Sequence, residues 1–141
     1  MAVTSEATTL WFGSLIGGSG TTSLDSSDAA EFPVTWAARS EGVSGQTNPE
    51  ELLGAAHSAC YSMALSNALS AAGHAPESLQ VTAAVTFVAG EGITGSHLLV
   101  SAKVPGLSSE EFATFADEAK TGCPVSKALS GITITLEASL A

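Results

Sequence analysis

Thr47-Asn48-Pro49-Glu50-Glu51-Leu52-Leu53-Gly54-Ala55-Ala56-His57-Ser58-Ala59-Cys60-Tyr61-Ser62-Met63-Ala64-Leu65 is the stretch on which the fold turns. It opens with the chemistry of a helix start. Thr47 or Asn48 can cap, Pro49 suits the first turn, and Glu50 and Glu51 set carboxylates against the positive end of the helix dipole. Leu52, Leu53, Ala56, Ala59, Cys60, Met63, Ala64 and Leu65 then occupy almost the whole circumference, so the helix is buried on more than one side. Its many alanines and Gly54 let another backbone come close. The spacing predicts a central helix over 47–73, running to about Ala72 and stopping at Gly73.

Outward from this helix the pattern changes. Before it, Leu10-Trp11-Phe12 and Thr21–Leu24 read as extended segments separated by the turn cluster Gly17-Gly18-Ser19-Gly20. Phe32-Pro33-Val34-Thr35-Trp36 is apolar but holds a proline, which confines it to an edge or an irregular segment. Ser40–Gln46 reads as a flexible connection rich in Gly and Ser. After the helix, Leu79, Val81, Ala83, Val85 and Phe87 alternate with more polar residues, the signature of a half-buried strand. His97–Val104 reads as its antiparallel partner. Ser108 caps a second helix with Phe112, Phe115, Ala116 and Ala119 inward, Pro124–Leu129 adds a turn or two, and Ile132, Ile134 and Leu136 mark a last strand. The expected class is α+β in a single domain over 1–141: a β-rich part at 1–46, the central helix, and a ββαβ part at 77–141.

Composition narrows the function. Fourteen acidic residues against four basic give a net charge of −10, which argues against nucleic acid or an anionic membrane as partner. The uncharged run Leu52–Pro76 contains His57, Asn67 and several serines and is too mild for a membrane span. The first residues show no basic region followed by an apolar run, so a cytoplasmic protein is expected. In that compartment two cysteines rarely form a permanent structural disulfide. Cys60 and Cys123 are therefore either inert buried thiols or a working redox pair. Cys-x-x-Cys spacing is absent, and no metal-ligand spacing joins the cysteines to a histidine.

A redox pair has definite needs. One thiol attacks a peroxide oxygen and becomes a sulfenic acid, and the other condenses with it to a disulfide. A cation near the attacking sulfur favours thiolate and stabilises the leaving oxygen. Arg39, the only arginine in the chain, is the natural candidate, and a carboxylate that holds its fork would help. Cys123 precedes Pro124 at the start of a helical turn, a setting that lowers thiol proton affinity.

The stretch from Thr47 to Cys60 with Ser62-Met63-Ala64-Leu65, the later Lys120-Thr121-Gly122-Cys123-Pro124-Val125-Ser126, and the opening Trp11 and Gly18-Ser19-Gly20 together resemble the OsmC/Ohr family of thiol peroxidases over nearly the full chain. The resemblance implies an OsmC-like α+β fold in an intertwined homodimer that reduces organic hydroperoxides to alcohols and protects against oxidative stress. It implies Cys60 as the peroxidatic thiol, Cys123 as the resolving thiol, and Arg39 and Glu50 as the activating arginine and the carboxylate that holds it. Arg39 close before Asn48-Pro49-Glu50 is similar to the OsmC branch; the Ohr branch carries its arginine in the N-terminal strand and tends to have an aromatic residue where His57 stands. The cycle needs no bound cofactor, only a dithiol to reopen the disulfide, for which the family implies lipoyl-type dithiols.

Helix arithmetic adds one expectation. Glu50 precedes Cys60 by ten residues, about 15 Å along a helix and on another face. Antiparallel central helices about a two-fold axis would bring Glu50 of one subunit to Cys60 of the other, so each site would be shared. His57, three residues before Cys60, is read as a packing or hydrogen-bonding residue, and His74, after Gly73, as a helix C-terminal cap. Met63 with Phe112 or Phe115 are candidate walls for an alkyl peroxide. A different class of function, a non-enzymatic redox sensor or a protein that binds hydrophobic ligands on the same fold, is separated by peroxide consumption.

Overall fold

The computed structural model describes residues 1–141, and the chain forms two compact units, Met1–Pro49 and Glu50–Ala141.

The first unit is an antiparallel sheet of three strands in the order β1 (Thr8–Phe12), β2 (Ser19–Ser23), β3 (Glu31–Val34), followed by a short helix, α1 (Trp36–Ser40). Trp11 lies opposite Gly20, and a Cβ on Gly20 would stand 2.8 Å from the indole, so this cross-strand position admits glycine alone. Pro33 sits on the edge strand β3, where a missing N–H costs least. Helix α1 falls where the sequence reads as irregular or flexible. Thr35 caps it by accepting from the Ala38 N–H at 3.1 Å, and the Asn48 side-chain amide donates to the Ala38 carbonyl at 3.0 Å. Five residues are too few for a hydrophobic period to show, which is why the pattern hides this helix.

The second unit carries the core. Helix α2 (Pro49–Ala71) is followed by strands β4 (Ser78–Val88) and β5 (Gly92–Lys103), helices α3 (Ser109–Gly122) and α4 (Pro124–Ala128), and strand β6 (Thr133–Leu140). The sheet order is β4-β5-β6, with β4 antiparallel and β6 parallel to β5. A parallel neighbour requires a crossover, and α3 with α4 provides it. Tyr61, Leu65 and Leu69 of α2 pack with Leu98, Val100 and Ala102 of β5 and with Phe112, Ala119 and Cys123. A Cβ on Gly54 would lie 2.8 Å from the Ala83 carbonyl oxygen, so the close approach that glycine permits is to strand β4.

Helix ends follow the local chemistry. Gly73 adopts φ +84°, its N–H donates to the Ser70 carbonyl, and the His74 N–H donates to the Leu69 carbonyl at 2.8 Å, a Schellman closure. His74 thus caps α2 through its backbone. Ser108 and Glu111 form a reciprocal capping box at the start of α3. No helix is long and apolar enough to cross a membrane.

Candidate functional site

Cys60 and Cys123 come from elements made in different ways, and the second unit brings them together. Cys60 projects from the uninterrupted middle of α2 and is half-buried. Cys123 occupies the break between α3 and α4, with φ −64° and ψ 123°, where Pro124 ends one helix and starts the next. It is fully buried. Both are free thiols, and each shifts the other's proton affinity.

Their electrostatics differ. Burial pushes the Cys60 thiol up; one amide, that of Val125, opposes this, and the neighbouring Cys123 raises it further. Burial pushes Cys123 up as well, but the Ser126 amide, the Cys60 thiol, the Ser126 hydroxyl and the Val125 amide all stabilise its thiolate. The balance leaves Cys123 below the ordinary thiol range. Burial is the largest influence on both thiols, and the difference between them lies in the polar neighbours of Cys123.

A buried polar chain stands behind Cys123. His57 of α2 has no exposed surface. Its Nδ1 is 2.7 Å from Ser96 Oγ on β5, and its Nε2 is 2.8 Å from Ser126 Oγ on α4. Burial lowers its affinity for a second proton, so the ring is neutral, with one nitrogen donating and the other accepting. Beside it, the Tyr61 hydroxyl donates to the Ala116 carbonyl at 2.7 Å, and burial pushes that phenol far up.

The other candidate residues stand on other helices or other turns. Glu50 is buried in the first turn of α2, ten residues before Cys60 on the same helix, and does not share its face. Arg39 lies in the last turn of α1, in the first unit. Phe112 is 1% exposed inside the core, so it is a packing residue and not a substrate wall. Phe115 is partly buried against the same core, and Met63 is 71% exposed on α2. Ser96 and Ser126 are the functional candidates that sequence reading misses. The available signal is spacing: Ser126 stands three residues after Cys123 at the start of a helical turn, as His57 stands three before Cys60.

Fold and site thus define an α+β protein with two facing thiols, one on a long central helix and one at a helix–helix break. The profile of the OsmC-like protein family matches residues 42–137. Peroxiredoxin OsmC of Escherichia coli strain K12 is 44% identical over 133 residues, 92% of each chain. Organic hydroperoxide resistance protein OhrA of Bacillus subtilis is 34% identical over 102 residues, 70% of this chain and 72% of its own. Among solved structures, the organic hydroperoxide resistance protein OhrB of Bacillus subtilis superposes with a TM-score of 0.73 at 25% identity, over 99% of this chain and 98% of that one. The chain belongs to the OsmC-like protein family.

Proposed function

We propose that this protein is a thiol peroxidase that reduces organic hydroperoxides to alcohols. The observation that carries the reading is the facing pair, Cys60 and Cys123, in a chain so similar to a peroxiredoxin. The Cys60 thiolate attacks the terminal peroxide oxygen, the O–O bond breaks, and the alkoxide leaves and takes a proton to become the alcohol. Cys60 is then a sulfenic acid. The Cys123 thiolate attacks its sulfur, hydroxide leaves and takes a proton from solvent to become water, and the Cys60–Cys123 disulfide forms. A disulfide bond is about 2.05 Å long, so the two free thiols must close in on each other in this step. A dithiol, of the lipoyl type in this reading, returns the protein to two thiols.

Burial raises the proton affinity of Cys60, and a thiolate nucleophile needs a cation to offset that. Activation is therefore assigned to the guanidinium of Arg39, held by the Glu50 carboxylate. Surface character supports a homodimer. Ala55, Ala59 and Met63 recur at four-residue spacing on the exposed side of α2, and Leu10, Phe12, Leu15 and Ile16 are exposed in the first unit. In that dimer Glu50 of one subunit serves Cys60 of the other. In this reading the protein works in the cytoplasm, where dithiol reductants are available.

The test is consumption of an organic hydroperoxide by the purified protein with a dithiol present. Wild type should turn over and Cys60→Ser should not. Retained turnover in Cys60→Ser would sink the mechanism, and no turnover in wild type would favour a redox sensor or a binding protein on the same fold.

A further inference from the structure

Helix α4 is five residues long, and Ser126 is its one buried side chain. Val125 packs only partly against the core, while Pro124, Lys127 and Ala128 face solvent. Apolar burial therefore holds this turn weakly, and yet the turn carries Cys123 at its N-cap. What ties it down is polar. Ser126 Oγ is 2.8 Å from His57 Nε2 on α2, and His57 Nδ1 is 2.7 Å from Ser96 Oγ on β5. Burial keeps the ring neutral, so whichever nitrogen carries the proton donates and the other accepts. An apolar side chain at position 57 would fill the same space without fixing a direction. A hydrogen-bonded ring fixes both, because it is satisfied only over a narrow range of distance and angle.

The contact sits at a particular place in the chain. His57 stands three residues before Cys60, about 4.5 Å along α2 and on the same side of it. Ser126 stands three residues after Cys123, within the first turn of α4. The hydrogen bond thus joins the two thiol-bearing segments one turn from each cysteine, and Cys60 packs against the core cluster that contains Cys123. We propose that His57 and Ser126 are positioning residues whose hydrogen bond clamps the start of α4 to α2 and so sets how readily Cys60 and Cys123 join. The inference rests on the disulfide cycle above and adds the device that holds its two ends in register. Ser96, 1% exposed on the central strand β5, anchors the far side of the ring. His57 has no exposed surface, so in this role it acts through the segments it joins and not on a substrate or reductant.

The experiment measures how strongly the two cysteines prefer each other over an external thiol, and it needs no peroxide. Each protein is equilibrated with one fixed mixture of reduced and oxidised glutathione, quenched in acid and alkylated. Dithiol, internal disulfide and glutathione adducts are then quantified by mass. In the exchange, one protein thiolate displaces a thiolate from oxidised glutathione, and the second protein thiolate displaces the other. The protein loses two electrons and two protons, and two molecules of reduced glutathione carry them away. Ser126→Ala and His57→Leu should each lower the ratio of internal disulfide to adduct by roughly tenfold, since misplacement by about 1 Å can cost up to 100-fold. Ser126→Thr should keep the wild-type ratio. The double variant should fall no further than either single one, because the same contact is lost in all three. Ser108→Ala, which loosens α3 at its other end, should leave the ratio unchanged. Should His57→Leu not fold, Ser126→Ala and its rescue by threonine carry the test. A wild-type ratio in Ser126→Ala, additive losses in the double variant, or an equal fall in Ser108→Ala would overturn the clamp. Absence of any internal disulfide in wild type would overturn the clamp and the disulfide cycle together. The expected ratios without consumption of hydroperoxide would uphold the clamp and fail the peroxidase reading alone.

Discussion

Cys60 and Cys123 shift each other's proton affinity, yet the chain holds them by different means. Cys60 sits in mid-helix, where the backbone N–H groups around it are committed to α2, and only the Val125 amide of a neighbouring element reaches its sulfur. Cys123 sits where Pro124 breaks the chain between two helices, and its polar neighbours outweigh the effect of burial on its proton affinity. The first thiol is placed accurately and left electrostatically bare. The second is buried and solvated by the protein itself. A sulfur that must attack a varied substrate benefits from exposure and from a cation supplied separately. One that must accept and release a bond to a fixed partner benefits from built-in donors.

The largest expected effect separates the two thiols by their dependence on Arg39. Arg39→Gln should slow oxidation of Cys60 by an organic hydroperoxide on the order of 100-fold to 1,000-fold, the scale for loss of one transition-state hydrogen-bond donor. The Cys123 titration in Cys60→Ser should not move. Stopped-flow oxidation rates check the first and thiolate absorbance the second; equal effects on both would erase the contrast. Mixing Cys60→Ser with Glu50→Ala then tests the shared site. Neither variant alone should turn over at the wild-type rate, and subunit exchange should restore activity in mixed dimers, whereas additive inactivity would confine each site to one chain.

Stability effects sharpen the same contrast. Phe112→Ala removes a ring from the core that also contains Cys123, and should cost about 3–5 kcal/mol in denaturant unfolding. Maleimide labelling of Cys123 should accelerate more than that of Cys60. Ser108→Ala removes one half of the α3 capping box and should cost about 1 kcal/mol, with little change at Cys60.

The smallest effect is a pH dependence from His57. Its folded proton affinity is depressed by burial, so the unfolded chain binds more protons in acid. The contribution is fully present above the ordinary histidine value of about 6.5 and is lost as pH falls through the lower folded value. Wild type should therefore lose stability on acidification over that window, and His57→Gln should lose less over the same range, as read by thermal unfolding at a series of pH values.

The sequence is most legible where structure is local. The Pro49-Glu50-Glu51 start, the Gly73 stop and the Ser108-x-x-Glu111 box each specify a helix end within a few residues, and the alternation from Leu79 to Phe87 specifies a strand. Helix α1 escapes because its Thr35 cap lies in a run dominated by Pro33 and two aromatics. The parallel pairing of β6 with β5 is set by a crossover and not by any feature of Thr133–Leu140 itself. At the site, the two cysteines stand out by scarcity. The His57 partners do not, because Ser96 and Ser126 converge on the ring from 39 and 69 residues away and serines are common in this chain. Phe112 misleads for a related reason: an aromatic residue on a helix face looks the same whether it lines a pocket or fills a core.

The most direct test of the central claim is the mass of the wild-type protein after one equivalent of an organic hydroperoxide, followed by peptide mapping without reductant. The account predicts loss of two hydrogens and a single cross-linked peptide pair that joins Cys60 to Cys123, with the alcohol formed in equal amount. Unchanged mass with both thiols still free to alkylate, or stable oxygen addition on Cys60 with Cys123 still a thiol, would contradict it.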